Sequence, residues 1–146
     1  MDEDLEARTA TLRQALGPLV SEDEALLRTL ADATTVHRYS AGTMVFEKGS
    51  SPEALYVVAS GAVAIVATVR GHETEVALIH PGDFFGELAY ALDIPRTRAA
   101  KVTEDAELME IPETAIRQAM AGDPGFASRL MVEFEARLPG REHSVE

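Results

Sequence analysis

Cysteine is absent from the 146-residue chain, which removes disulfides, zinc–thiolate sites and thiol catalysis from consideration. Basic residues are scarce: 13 Lys and Arg stand against 25 Asp and Glu, for a formal charge of −12. The resulting field repels a polyphosphate backbone, so no direct nucleic-acid partner is expected. Long hydrophobic runs are missing as well. The longest apolar tract, Leu55 to Val69, is interrupted by Ser60-Gly61 and falls short of the about 20 residues that cross a bilayer, so no membrane partner is expected. The opening residues MDEDLE are acidic where a signal peptide carries positive charge, and a cytoplasmic location is expected.

Catalytic groupings are also lacking. The histidines His37, His72, His80 and His143 do not show a metal-ligand spacing. No serine lies in a nucleophile-elbow context, and no phosphate loop of the nucleotide-hydrolase kind occurs. The chain is expected not to be an enzyme and to hold no metal and no cofactor.

What is present suits one domain, able to bury roughly 70% of its unfolded surface. Leu5, Leu12, Leu16 and Leu19 fall near one helical face, and Gly17-Pro18 is expected to end that helix. Ser21 and Glu24 make a capping-box pair ahead of Leu26, Leu27 and Leu30, which predicts a second helix. From Val36 to Ile111 short runs of Val, Ile, Tyr and Phe are separated by Gly42, Gly49, Gly61, Gly71 and Gly82, at intervals of 7 to 12 residues. That is the punctuation of an antiparallel sandwich or barrel.

Within the β region, a period of two puts Val63, Ile65, Ala67 and Val69 on one side of a strand. HPGD, His80 to Asp83, suits a turn with proline second and glycine third. AELMEI, Ala106 to Ile111, is read as a strand because Pro112 follows it. From Pro112 the pattern is helical, with a break at AGDPG, Ala121 to Gly125. Phe126, Leu130, Phe134 and Leu138 recur every four residues and predict a last helix, which Pro139-Gly140 ends before the polar tail REHSVE.

The chemistry concentrates in FGELAYALDIPRTRAA, Phe85 to Ala100. Gly86 sits where a strand-like run yields to a segment containing Leu88 and Ala89, so free helix amides that attract an anion are expected there. Glycine admits a ligand close to the backbone, and Glu87 offers two acceptor oxygens suited to sugar hydroxyls. Arg96, on a turn set by Pro95, carries a fork of donors that matches a phosphate, and Thr97 adds a hydroxyl. Singly, each has a plain structural reading: a glutamate meeting a helix dipole, a solvated arginine. Together they describe a sugar-phosphate site.

FGELA followed by PRT, with ten positions from Gly86 to Arg96, resembles the phosphate-binding cassette of cyclic-nucleotide-binding domains, the family of kinase regulatory subunits and the catabolite activator protein. The resemblance extends upstream through YSAGTMVFEKGSSPEALYVVASGAVAIV, Tyr39 to Val66, and covers roughly Leu26 to Leu138. It implies an eight-stranded antiparallel β-roll, mainly β, with N-terminal and C-terminal helices and a cyclic nucleotide inside. It implies that Glu87 accepts the ribose 2′-hydroxyl, that Gly86 presents its amide, and that Arg96 pairs with the cyclic phosphate. Thr97 resembles the arrangement in guanine-preferring members. The expected ligand-binding set is Gly86, Glu87, Leu88, Ala89, Arg96, Thr97 and Arg98, all in binding rather than catalytic roles.

Two departures qualify the resemblance. Arg98 stands where the family usually has a small residue and Ala99 where it often has a hydroxyl; Arg98 reads first as a solvated surface charge, but in an extended backbone Arg96 and Arg98 would point to one side, which suits a doubly charged ligand such as a cyclic dinucleotide. The last helix is expected to stop at Pro139-Gly140, without the winged helix-turn-helix of bacterial regulators, so direct control of DNA is not expected. Arg141 and His143 are the residues that could reach back toward a base. Phe126, Leu130, Met131 and Phe134 are expected to pack on the roll or on a second chain, with a monomer and a homodimer both open.

The expected organisation is an N-terminal helical extension over 1–20, a cyclic nucleotide-binding domain over 21–138 and a polar tail over 139–146. The expected function is a sensor of cyclic GMP or cyclic AMP that signals to a protein partner through its terminal helices. The alternatives are a ligand-free β-roll serving as an interaction module and a cyclic di-GMP receptor.

Overall fold

The computed structural model describes residues 2–20, 23–86 and 94–136. Helix α1 (Asp2–Val20) and helix α2 (Glu24–Ala33) precede six strands: β1 (Thr35–Tyr39), β2 (Met44–Phe46), β3 (Ala54–Val69), β4 (His72–Ile79), β5 (Phe84–Phe85) and β6 (Ala99–Pro112). Helices α3 (Glu113–Gly122) and α4 (Gly125–Ala136) follow. The strands form one antiparallel sheet in the order β1-β6-β3-β4, with β2 also on β6 and β5 also on β3, rolled around an apolar interior.

The first helix does not end at Gly17-Pro18 as expected but runs through to Val20. An interior proline costs about 3 kcal/mol, yet Leu19 and Val20 are buried at 0% and 3% exposure. Burying two such side chains contributes roughly 1.5–3 kcal/mol each, enough to hold the last turn helical. The N-cap of α2 is Asp23, whose carboxylate accepts from the Leu26 amide at 3.0 Å. Glu24 is therefore the first helical residue and not the third of a capping box, and Ser21 lies outside the described residues. Pro112 closes β6 and caps α3 from an extended backbone.

Two long strands explain why six are found among the described residues where eight were expected. The start of β3 pairs with β5 and β6, and its end pairs with β4 and β6. Register shifts between Val58 and Val63 mark the bend between these halves. Gly61 sits at that bend with φ +84°, and a Cβ there would lie 2.3 Å from the Asp105 carbonyl and 2.6 Å from the Ala106 Cα. Only glycine fits so close a crossing.

The predicted turns are in place. Asp83 donates its amide to the His80 carbonyl at 3.1 Å across HPGD, with Gly82 at φ +89°. Val63 and Ile65 face the roll interior together. Val69, expected on the same side, is 51% exposed, because it lies at the tip of the β3–β4 hairpin, opposite His72.

Two cores result. Between the helices and the sheet lie Leu12, Leu16, Leu27, Leu30, Leu55, Phe84, Met109, Ile116, Phe126 and Leu130. Inside the roll lie Tyr56, Val58, Val63, Phe85, Val102 and Leu108. The neighbours Phe84 and Phe85 thus point to opposite sides of one short strand, as strand geometry requires. Phe126 and Leu130 carry the expected stripe of the last helix into the helix-side core. The Phe134 side chain, Leu138 and Pro139-Gly140 lie outside the described residues.

Candidate binding site at Arg96

The site is assembled by the β2–β3 loop, the start of β3, the end of β5 and the turn before β6. The Arg96 backbone is locked to the β2–β3 loop from both directions: its amide donates to the Ser50 carbonyl at 2.9 Å, and its carbonyl accepts from the Gly49 amide at 2.7 Å. Its side chain is not the solvated group that a plain reading of the sequence allows, for Arg96 is 5% exposed. The guanidinium donates through Nη1 to the Gly86 carbonyl at 2.7 Å and through Nη2 to the Ala54 carbonyl at 2.6 Å. Its Cζ lies over the Phe46 ring, 4.0 Å from the centroid, and the Tyr56 ring is further off at 5.9 Å.

Gly86 has φ +92°, and a Cβ on it would sit 2.9 Å from Arg96 Nη1. Its lack of a side chain lets the guanidinium reach its carbonyl. The pair separated by ten positions in sequence is thus brought into contact. Of the other expected ligand-binding residues, Glu87, Leu88 and Ala89 lie outside the described residues. Thr97 is exposed and Arg98 half-buried, and the backbone bends at these two residues. The extended geometry that would align Arg98 with Arg96 is therefore not what is found. Arg141 and His143 lie outside the described residues.

A cleft of about 520 Å³ opens at this place, lined by Met44, Val45, Phe46, Glu47, Ser50, Ser51, Glu53, Tyr56 and Arg96. Its size suits a small organic ligand, and its lining combines a cation, hydroxyls, carboxylates and aromatic rings. Beneath it Phe46, Tyr56 and Phe85 pack together: Tyr56 stacks on Phe85 at 5.1 Å between centroids, and Phe46 tilts against both at 5.8 and 6.1 Å. Burial holds the Tyr56 hydroxyl above the ordinary tyrosine range, Glu110 adds to this, and Arg96 opposes it. Phe46 and Tyr56 are the residues that sequence reasoning left without a role. A phenylalanine in a short strand reads as core, and the only signal was their position on either side of the Gly49 turn.

Among the described residues no group of three His, Asp or Glu side chains could hold a metal ion. No helix of the described residues is long and apolar enough to cross a membrane.

The chain is thus a β-roll with helical flanks and a buried arginine hydrogen-bonded to a glycine carbonyl. The model of the family described as "Cyclic nucleotide-binding domain" matches residues 36–123, and the chain belongs to that family, which is regulatory rather than catalytic. The cyclic AMP receptor protein of Thermus thermophilus is 38% identical over 74 residues, 50% of this chain and 34% of that protein. The cAMP-dependent protein kinase regulatory subunit of Yarrowia lipolytica is 36% identical over 97 residues, 66% of this chain and 23% of that protein. The chain thus spans about a third or less of these curated relatives. Among solved structures, the regulatory domain of Toxoplasma gondii PKA with cAMP aligns at a TM-score of 0.75 and 28% identity, covering 81% of this chain and 45% of that one. The Thermus thermophilus catabolite activator protein aligns at 0.68 and 28%, covering 88% of this chain and 61% of that one.

Proposed function

We propose that this protein is a sensor of a cyclic mononucleotide, cyclic GMP or cyclic AMP, which it reports to a partner protein. The observation that carries the reading is Arg96: a guanidinium at 5% exposure, oriented by two main-chain carbonyls and set in the wall of a cleft of ligand size. In such surroundings a cation attracts an anionic group more strongly than it would in water. Arg96 takes the cyclic phosphate and Glu87 the ribose hydroxyl, and Thr97 beside them favours cyclic GMP. These roles follow the family pattern, and the relatives named for cyclic AMP support the ligand class.

The signalling half of the proposal is a shift of population between two arrangements of the helices. Phe84 shares the helix-side core with Phe126 and Leu130 of α4 and with Leu12 and Leu16 of α1, and it stands two residues before Gly86. Occupation of the site therefore acts on the terminal helices through packed side chains. The protein turns nothing over in this role.

Calorimetry against cyclic AMP, cyclic GMP and cyclic di-GMP tests the reading. A cyclic mononucleotide binds the parent protein, and Arg96→Ala loses about 2–3 kcal/mol, some thirty- to hundredfold in affinity. Chromatography of the nucleotide after incubation shows it unchanged. Failure of all three compounds to bind would leave a ligand-free interaction module, binding of cyclic di-GMP alone would change the ligand class, and an unaltered affinity in Arg96→Ala would remove that residue from the site.

A further inference from the structure

Phe46 owes its orientation to an irregularity in β2. Met44 is opposite Lys101 and Phe46 is opposite Ala100, so two steps on β2 match one on β6 and Val45 is the extra residue. In a regular strand Met44 and Phe46 would share a face. With the bulge, Val45 and Phe46 both pack against the roll interior while Met44 is 38% exposed. Re-aiming a side chain beside a site is a recurrent use of such bulges.

The re-aimed ring lies against the guanidinium, with Cζ 4.0 Å from the ring centroid, while Nη1 and Nη2 donate to the Gly86 and Ala54 carbonyls. The carbonyls hold two of the nitrogens, and the ring supports the carbon between them. Phe46 is itself braced by Tyr56 and Phe85, and Phe85 directly precedes Gly86. An aliphatic side chain could fill the same space, but it has no ring quadrupole with which to hold a cation.

We propose that Phe46 is the positioning residue of Arg96: its ring orients the guanidinium toward an anion in the cleft and thereby sets the affinity for the cyclic phosphate. The inference rests on the sensor reading given above.

The test titrates cyclic AMP and cyclic GMP into the parent, Phe46→Leu, Phe46→Tyr, Arg96→Lys and the Phe46→Leu/Arg96→Lys double variant, with melting curves for each. Phe46→Leu weakens binding by roughly three- to thirtyfold, and Phe46→Tyr, which keeps the ring, restores it. In the Arg96→Lys background, where no planar fork remains to be oriented, the same Leu substitution changes affinity less than about twofold, as a double-mutant cycle reads it. Equal affinity in Phe46→Leu and the parent, or an equal loss in both backgrounds, overturns the proposal and leaves Phe46 a core residue that moves only the melting point. Without nucleotide, the exchange of the Arg96 Nε–H proton with water is recorded by NMR in the parent, Phe46→Leu and Phe46→Tyr. Phe46→Leu speeds this exchange by about tenfold or more and Phe46→Tyr leaves it near the parent rate, because a guanidinium held in place opens to solvent less often. If neither nucleotide binds the parent, the sensor reading fails, and this exchange alone decides: a rate indifferent to Phe46→Leu refutes the positioning role, and a faster rate restored by Phe46→Tyr upholds it.

Discussion

Gly61→Ala puts the β-roll's bend under direct test. The new methyl group would lie 2.3 Å from the Asp105 carbonyl oxygen, 2.6 Å from the Ala106 Cα and 2.8 Å from its Cβ, on a backbone with φ +84°. Two of these neighbours are main-chain atoms of β6, the strand that pairs with β3 on both sides of the bend, so neither can rotate away. A left-handed alanine costs about 1–2 kcal/mol, and forcing apart a packed interface adds about 1–3 kcal/mol. The sum, about 2–5 kcal/mol, is a large share of the 5–15 kcal/mol that holds a typical domain together. For a chain of this size it corresponds to a fall in melting temperature of roughly 4–20 °C. Gly71→Ala is the matched control, since Gly71 has φ +80° and nothing within 4 Å of an added Cβ. It suffers the left-handed penalty alone, about 1–2 kcal/mol, and both substitutions stiffen the unfolded chain alike. Urea and thermal unfolding followed by far-UV circular dichroism measure both. Equal losses in the two variants would refute the reasoning, because the difference between them is the steric contact and nothing else.

Other outcomes follow from the same contacts. Arg70 holds φ +53° in the two-residue turn between β3 and β4; Arg70→Asn, which tolerates that conformation, should raise stability by up to about 1 kcal/mol in urea unfolding, and a loss would contradict the turn assignment. Arg129 ties α4 to α1 by donating Nε to the Leu19 carbonyl at 2.6 Å and also pairs with Asp123. Arg129→Met should speed amide exchange across α4 by about tenfold or more, and unchanged exchange would rule out the tie. The hydrogen bond from Arg129 holds the Asp123 carboxyl below its ordinary value. Its contribution is therefore present above the unfolded pKa and lost as pH falls through the lower folded value, an acid-limb dependence that Arg129→Met should remove. At the alkaline end, burial and the bond to Glu110 raise the Tyr39 hydroxyl well above its ordinary value, and burial raises Tyr56. The unfolded chain releases those protons first, so their contribution is complete below about pH 10 and fades as pH rises from there through the folded values. Tyr39→Phe should flatten that loss, as urea midpoints across the range would show.

What the sequence disclosed depended on whether the deciding interaction was local. Gly71 and Gly82 announce their turns because positive φ is a property of one residue, and each turn is where its glycine stands. Gly86 and Arg96 signalled the site through their chemistry and the cassette they resemble, and the Arg96 side chain does meet the Gly86 carbonyl. Gly17-Pro18 misled because the local cost of proline is outweighed by the burial of Leu19 and Val20 in a core that no local pattern reports. The fusion of strand pairs into β3 and β6 was hidden because Gly61 looks like any turn glycine until β6 is laid against it. The contact of Phe46 with Arg96 goes with a bulge in β2 that is visible only through its register with Ala100 and Lys101.

The two-residue strand β5 has a mechanical corollary. Phe84 is wedged among the helices and Phe85 among the rings of the roll interior, so the peptide joining them is a fulcrum with a load on either arm. In the proposed sensor, this one peptide is the covalent link by which a shift of the rings under the cleft would reach the helix-side core.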